Sequence, residues 1–194
     1  MEQKLKITIV EANSERARLI VDGLREAGDY DITVLSDETS LARRLAALEP
    51  DVVLIDIANP SRDMLETLSL ASGANARPVA MFVDRSEEQM VTAAIKAGLS
   101  AYVVDGLRKE RVKPVMDAAI ARFHMVSQMR SELEQARAAL AERKTIDRAK
   151  GLLMRARGIS EEEAYGLLRK TAMDQGRKVV DVAQALVTAA DLLI

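Results

Sequence analysis

With 194 residues, 48% of them hydrophobic and 30% charged, the chain can build one ordinary globular domain and one small one. The absence of cysteine and a single histidine, His124, exclude disulfides, thiolate catalysis, cysteine-ligated metals and multi-histidine centres. The net charge of −2 conceals an asymmetry: residues 1–121 hold 15 basic and 20 acidic groups, whereas residues 122–194 hold 13 and 10. The basic surplus sits in the tail, where a polyanion-binding end would carry it. No apolar run is long enough to span a bilayer and no signal-peptide pattern opens the chain, so no membrane partner and a cytoplasmic location are expected.

Through residues 1–121 apolar strand-like runs alternate with helical patterns. Strands are predicted near 5–10, 32–35, 52–56, 79–83 and 101–104, and helices near 14–27, 38–48, 62–72, 86–97 and from 108 onward. Runs such as VVLID, at 52–56, read as strands buried on both faces, and the alternation predicts a doubly wound parallel sheet. Such sheets carry their functional groups at the C-terminal ends of the strands. Glu11, Asp56 and Asp105 fall there. Clustered carboxylates can hold metals or run acid–base chemistry, but nothing adjacent supplies a nucleophile–histidine pair or a phosphate loop. No catalytic residue, metal site or cofactor is assigned, and Asp63 and Asp84 read as ordinary loop residues.

These strand ends resemble the receiver domain of two-component response regulators, a flavodoxin-like fold. Asp56 in LIDIANP matches the phosphoacceptor and Glu11 the first of the acidic pair. The resemblance is incomplete. Ala12 stands where a second metal-binding carboxylate is usual, Val83 replaces the hydroxyl residue, and Asp105 replaces the lysine. Phosphoryl transfer needs a magnesium ion held by carboxylates and positive charge on the phosphoryl oxygens. Asp105 facing Asp56 at close range would instead cost ~4 kcal/mol at an effective dielectric near 20. A pseudo-receiver is expected, with signalling that does not require phosphorylation of Asp56.

After Pro114 one long helix is predicted, without proline or glycine until Gly151. Val126, Met129, Leu133, Ala136 and Leu140 keep 3–4 spacing, and Arg143 then breaks it. A short homodimer seam is one reading; a helix lying against its own receiver is the other.

The tail reads as three short helices. Ile146, Ala149, Leu153 and Ala156 form one stripe, Ala164, Leu167, Leu168 and Thr171 a second, and Val179, Val182, Ala183, Leu186, Ala190 and Leu193 a third. Gly158 and Gly176 are placed as stops, and Ser160 with Glu163 has capping-box spacing. Burying one stripe per helix predicts a C-terminal three-helix bundle. On the first tail helix Lys144, Arg148 and Arg155 lie opposite the stripe, while Arg143, Lys150 and Arg157 flank it. Gly151 falls on that basic face, in mid-helix, where glycine costs ~1 kcal/mol relative to alanine. Arg169 and Lys170, on the second helix, are further candidates for a phosphate backbone. A solvated basic face is the plain alternative for all of them. Tyr165 could stack on a base, but beside so strong a stripe a bundle anchor is the reading adopted.

The tail resembles the ANTAR domain of AmiR/NasT response regulators. The matching marks are Ala149-Lys150-Gly151 with Met154, Gly158, Ser160, Ala164-Tyr165, Leu168-Arg169, Ala172-Met173 and Asp181-Val182-Ala183. That resemblance implies an RNA-binding module that stabilises an antiterminator hairpin in a leader mRNA. The end of the last strand, Tyr102 to Gly106, is similar to NasT-type members and implies control by a sequestering nitrate/nitrite sensor protein. The organisation expected is a pseudo-receiver over 1–121, a helical connector over 122–142 and an RNA-binding domain over 143–194. A DNA-binding response regulator and a protein-interaction adaptor are the alternatives.

Overall fold

The computed structural model describes residues 4–37 and 40–192, with only the backbone at Glu88. It divides into two compact units, residues 1–127 and 128–194. In the first, β1 (Lys6–Val10), α1 (Ser14–Ala27), β2 (Asp31–Leu35), α2 (Leu41–Leu48), β3 (Val52–Ile57) and α3 (Arg62–Ser72) follow in order. β4 (Val79–Val83), α4 (Glu88–Lys96), β5 (Ala101–Val103) and the start of α5 (Lys109–Arg157) complete it. Residues 38 and 39 of the expected second helix lie outside the described residues.

All strand pairs are parallel, in the order β2-β1-β3-β4-β5, which is the flavodoxin-like winding. Alternate residues of the buried strands feed opposite layers. Val53, Ile55, Val79 and Met81 meet Leu45 of α2, Leu65 and Leu68 of α3 and Ala94 of α4. Val52, Leu54, Ala80 and Phe82 meet Ile20 and Leu24 of α1 and Val112 and Met116 of α5. A strand with helices on both sides has no solvated face, and this is why VVLID carries no alternation. The winding also sets Glu11, at the end of β1, beside Asp56, near the end of β3, because β1 and β3 are adjacent.

The second unit holds the rest of α5, then α6 (Glu161–Asp174) and α7 (Val179–Asp191). Gly158 and Gly176 both take positive φ, 66° and 62°, and end the helices that precede them. The Ser160 hydroxyl accepts from Glu163 N while the Glu163 carboxylate accepts from Ser160 N, so the capping box is formed in both directions. Ala149, Leu168, Ala183 and Val187 make the small core, joined by Ile146, Leu152, Leu153, Val179, Val182 and Leu186. Ala156, expected on the first stripe, is exposed, because α5 ends one residue later and no helix covers it. Leu193 lies outside the described residues. Along α5, Met125, Met129, Leu133 and Leu140 are each at least half exposed.

Candidate functional site

Two clusters of charge stand out, one in each unit. The first lies where β1 and β3 end. Asn13 caps α1, its side chain accepting from Glu15 N and Arg16 N at 2.9 and 3.1 Å, and its own N–H donates to Glu11 Oε1 at 2.7 Å. This cap aims Arg16, in the first turn, over the sheet end. Arg16 Nε and Nη2 grip Asp56 in a two-pronged pair at 2.8 and 2.6 Å. Nη1 and Nη2 also donate to Asp84 at 2.8 and 3.0 Å, and Nε lies 3.4 Å from Glu11 Oε2. The Asp56 side chain is fully buried, so the guanidinium is the counter-charge that permits its burial. Hydrogen bonding to Asp56 and then Asp84 holds the guanidinium pKa far above its ordinary value. Burial, with Asp56 alongside, pushes the Glu11 carboxyl up, against the opposing pull of the Asn13 N–H and Arg16.

Glu11 and Asp56 therefore come together as expected, and two partners were not anticipated. Asp84 is no ordinary loop residue, since it completes the hold on Arg16. Asp105 stays apart. It is exposed, at φ 78°, and does not line the cleft of about 680 Å³ around Asp56. The close repulsion expected between Asp105 and Asp56 is thus avoided by turning Asp105 outward. Gly106, at φ 71°, follows it, and a Cβ there would sit 3.0 Å from Asp84 Oδ1. The receiver fold implies a magnesium ion at this place, but the residues present do not fit one. A guanidinium fills the coordination side of Asp56, a backbone N–H takes Glu11 Oε1, and position 12 is alanine. Among the described residues no group of three or more acids or histidines could hold a metal ion.

The second cluster is basic and lies on α5 and α6. Lys144, Arg155, Arg157, Arg169 and Lys170 are exposed, and none of them forms an ion pair among the described residues. Arg143 is 83% exposed and only 3.9 Å from Asp147. Arg148 is paired with Asp191 of α7. Lys150 differs most from expectation. Its side chain is 14% exposed and its ammonium is clamped at 2.6 Å by both Asp147 and Glu161. Those two carboxylates, Asp147 first, raise its pKa. Lys150 therefore ties α5 to α6, and free positive charge belongs to its neighbours. A Cβ on Gly151 would make an ordinary van der Waals contact with Arg155 Nη1, at 3.7 Å, so the position is not crowded. Tyr165, read above as a bundle anchor, is 44% exposed, since it follows buried Ala164 around the helix and points past the core. It lines an open groove of about 600 Å³ with Ile146, Lys150, Gly151, Met154 and Glu161.

A receiver-like sheet domain carrying a helical effector is the architecture of a response regulator. The family description "ANTAR domain" matches residues 134–187. The transcriptional regulatory protein PdtaR of Mycobacterium tuberculosis is 29% identical over 168 residues, covering 86% of this chain and 82% of its own length. The nitrate regulatory protein of Klebsiella oxytoca is 43% identical over 65 residues, 34% of this chain but 16% of that protein. Among solved structures, the chemotaxis protein CheY4 of Vibrio cholerae superposes with a TM-score of 0.51 at 14% identity, covering 60% of this chain and 99% of that one, a likeness of fold alone. Residues 134–187 thus match an ANTAR domain, and the chain is similar to response regulators of the AmiR/NasT type. These relatives are named as regulatory proteins, PdtaR as a transcriptional one. Among the described residues no helix is long and apolar enough to cross a membrane.

Proposed function

We propose that this cytoplasmic protein binds hairpin leader RNA through residues 143–194 and prevents premature termination of a nutrient-assimilation operon. The observation that carries this reading is the row of exposed, unpaired cations on α5 and α6 within a domain matched as ANTAR. Lys144, Arg155, Arg157, Arg169 and Lys170 would contact phosphates directly, with Arg143 and Arg148 beside them and Gly151 leaving room for the RNA backbone. Lys150 would hold the two helices that present them. Residues 1–121 serve as a pseudo-receiver and 122–142 as a connector, whose exposed Met129, Leu133 and Leu140 suit a homodimer seam. Arg16 keeps Asp56 neutralised without phosphate or metal, so control falls to a partner protein. Likeness to the nitrate regulatory protein supports a nitrate/nitrite sensor in that role.

Filter binding of the purified chain to the leader transcript beside its gene, to duplex DNA of the same sequence and to a scrambled hairpin tests this function. Tight binding to the leader hairpin alone is expected. Preference for duplex DNA would make the protein a DNA-binding regulator, and no binding to either would leave a protein-interaction adaptor. Asp56→Ala should bind the hairpin like the parent chain, and the co-encoded sensor should release the RNA until its ligand is added.

A further inference from the structure

We propose that a pocket at the N-terminal ends of β3 and β4 binds a small zwitterion, a free α-amino acid with an apolar side chain. The site lies at the end of the sheet opposite the Asp56 cleft. It goes beyond the RNA-binding reading above and does not rest on it.

The winding of the sheet builds the pocket. β3 and β4 are adjacent and parallel, so the turns that lead into them, 49–51 and 76–78, lie side by side. The Val53 N–H donates to Pro78 O at 3.0 Å and the Asp51 N–H to Lys6 O at 2.9 Å. The Lys6 N–H donates in return to Asp51 Oδ2 at 2.8 Å. Pro50 and Pro78 restrict the same turns further. α5 closes one side with Ile120, Phe123 and His124, and the enclosed space is about 430 Å³. That is the size of a small-molecule site, with walls set before any ligand arrives.

The charges on these walls are held apart. Arg77 is half-buried, and a guanidinium is rich in N–H donors. Among the described residues it meets one acceptor, Pro50 O, at 3.1 Å, and its Nε is buried with none. No carboxylate pairs with it, although Glu49 and Asp51 line the same pocket. The contrast within one domain is sharp, since the sheltered Arg16 is met by three carboxylates. Asp51 is partly committed to Lys6 N, whereas the Glu49 carboxylate has no partner among the described residues.

A sheltered guanidinium without a counter-charge calls for an anion, and an uncommitted carboxylate in the same pocket calls for a cation. An ion of one sign would meet its own sign on the other wall. A zwitterion satisfies both, with its carboxylate on Arg77 and its ammonium on Glu49, Asp51 alongside. Leu5, Ile120 and Phe123 then offer apolar surface to the side chain. A residue inside a peptide carries neither charge, so the free amino acid is the occupant.

The test uses the full chain, whose single histidine gives ring NMR signals that need no assignment. His124 lines the pocket and reports its occupancy. Leucine, methionine, phenylalanine and valine are titrated to millimolar concentration. For the tightest binder, the amine lacking its carboxylate and the acid lacking its amino group follow. The amino acid should shift the His124 signals saturably. The amine and the acid should each bind at least ~10-fold more weakly, the loss of one charge-assisted contact. Arg77→Gln should bring the amino acid down to the affinity that the amine has for the parent chain, and Glu49→Gln to that of the acid. Arg77→Lys, which keeps the charge, should keep part of the preference. Comparison of the amino acid with its amine and acid needs only the parent chain and stands even where a variant does not fold. The zwitterion site is wrong if no amino acid shifts the His124 signals, or if the amine or the acid binds as tightly as the amino acid. It is equally wrong if folded Arg77→Gln and Glu49→Gln bind the amino acid like the parent chain. Each of these failures leaves the RNA-binding reading standing, because hairpin affinity is measured separately.

Discussion

The acidic cleft and the basic helix face spend their charges differently. At the sheet end one arginine serves three carboxylates, and its own side chain is only 26% exposed. On α5 and α6 the exposed cations outnumber those that find a carboxylate, and the two best-paired ones, Lys150 and Arg148, bind helix to helix. The cleft is closed electrostatically: its charges are committed to holding α1, β3 and the loop after β4 together. The helix face is open, and its charge awaits a partner. A site that keeps receiver geometry can therefore have lost receiver chemistry, because what matters is whether the carboxylates are available.

Breaking the closed side should give the largest effect. Arg16→Ala leaves Asp56 buried beside Glu11 without a counter-charge, and removal of one member of a buried pair costs ~3–5 kcal/mol. Denaturant unfolding should show that loss in the transition of the sheet domain. Asp56→Asn keeps Arg16 paired with Asp84 and relieves Glu11, so it should cost clearly less. Equal losses would mean that Arg16 is not the organising charge.

On the open side the contrast is between free and tied cations. Lys144→Ala should reduce the slope of log K for hairpin RNA against log salt by roughly 0.7–0.9, the counterion released at one phosphate. Lys150→Ala should change that slope little, since its charge is already met by Asp147 and Glu161, and should lower the melting temperature instead. A full slope change at Lys150 would show that the RNA displaces both carboxylates.

The parts of this molecule governed by short-range rules were legible before the structure. VVLID spells a doubly buried strand, Gly158 and Gly176 fall where helices need left-handed ends, and Ser160 with Glu163 announces a cap. Charge pairing was not legible. Arg16 is 40 residues from Asp56 and 68 from Asp84, and an arginine in a first helix turn looks like any surface arginine. Only its place directly behind the Asn13 cap could have hinted that it overhangs the strand ends. Helical spacing likewise put Tyr165 beside the stripe but could not tell the buried side of that edge from the open one. Lys150 and Glu161 meet because α5 turns into α6 at Gly158, a three-dimensional fact that a wheel drawn for one helix omits.

Smaller effects sharpen the comparison inside the helical unit. Ser160→Ala removes one half of the capping box and should cost ~1 kcal/mol, seen as a lower denaturation midpoint for residues 128–194 with the sheet transition unmoved. Ser160→Asp, which can still accept the Glu163 N–H, should recover part of it.

Acid should move the two regions in opposite directions. The Ser160 N–H, and then its hydroxyl, hold the Glu163 carboxyl below its ordinary 4.5, and Lys150 holds Asp147 below 3.8. For both, the folded state binds its proton less tightly than the unfolded chain. Their stabilisation is complete above those ordinary values and is lost as pH falls through the folded ones. Glu11 has the reverse sign: burial raises its pKa above 4.5, so the folded cleft takes up a proton before the unfolded chain does. Its contribution improves as pH falls through that raised value and is fully present below 4.5. Between neutrality and strong acid the cleft should first firm slightly and the helical unit should then loosen. Carbon-detected NMR titration of glutamate-labelled protein reads both at once, with Glu11 turning above 4.5 and Glu163 below it. Coincident midpoints at 4.5 would mean that neither the burial at the sheet end nor the capping box persists in solution.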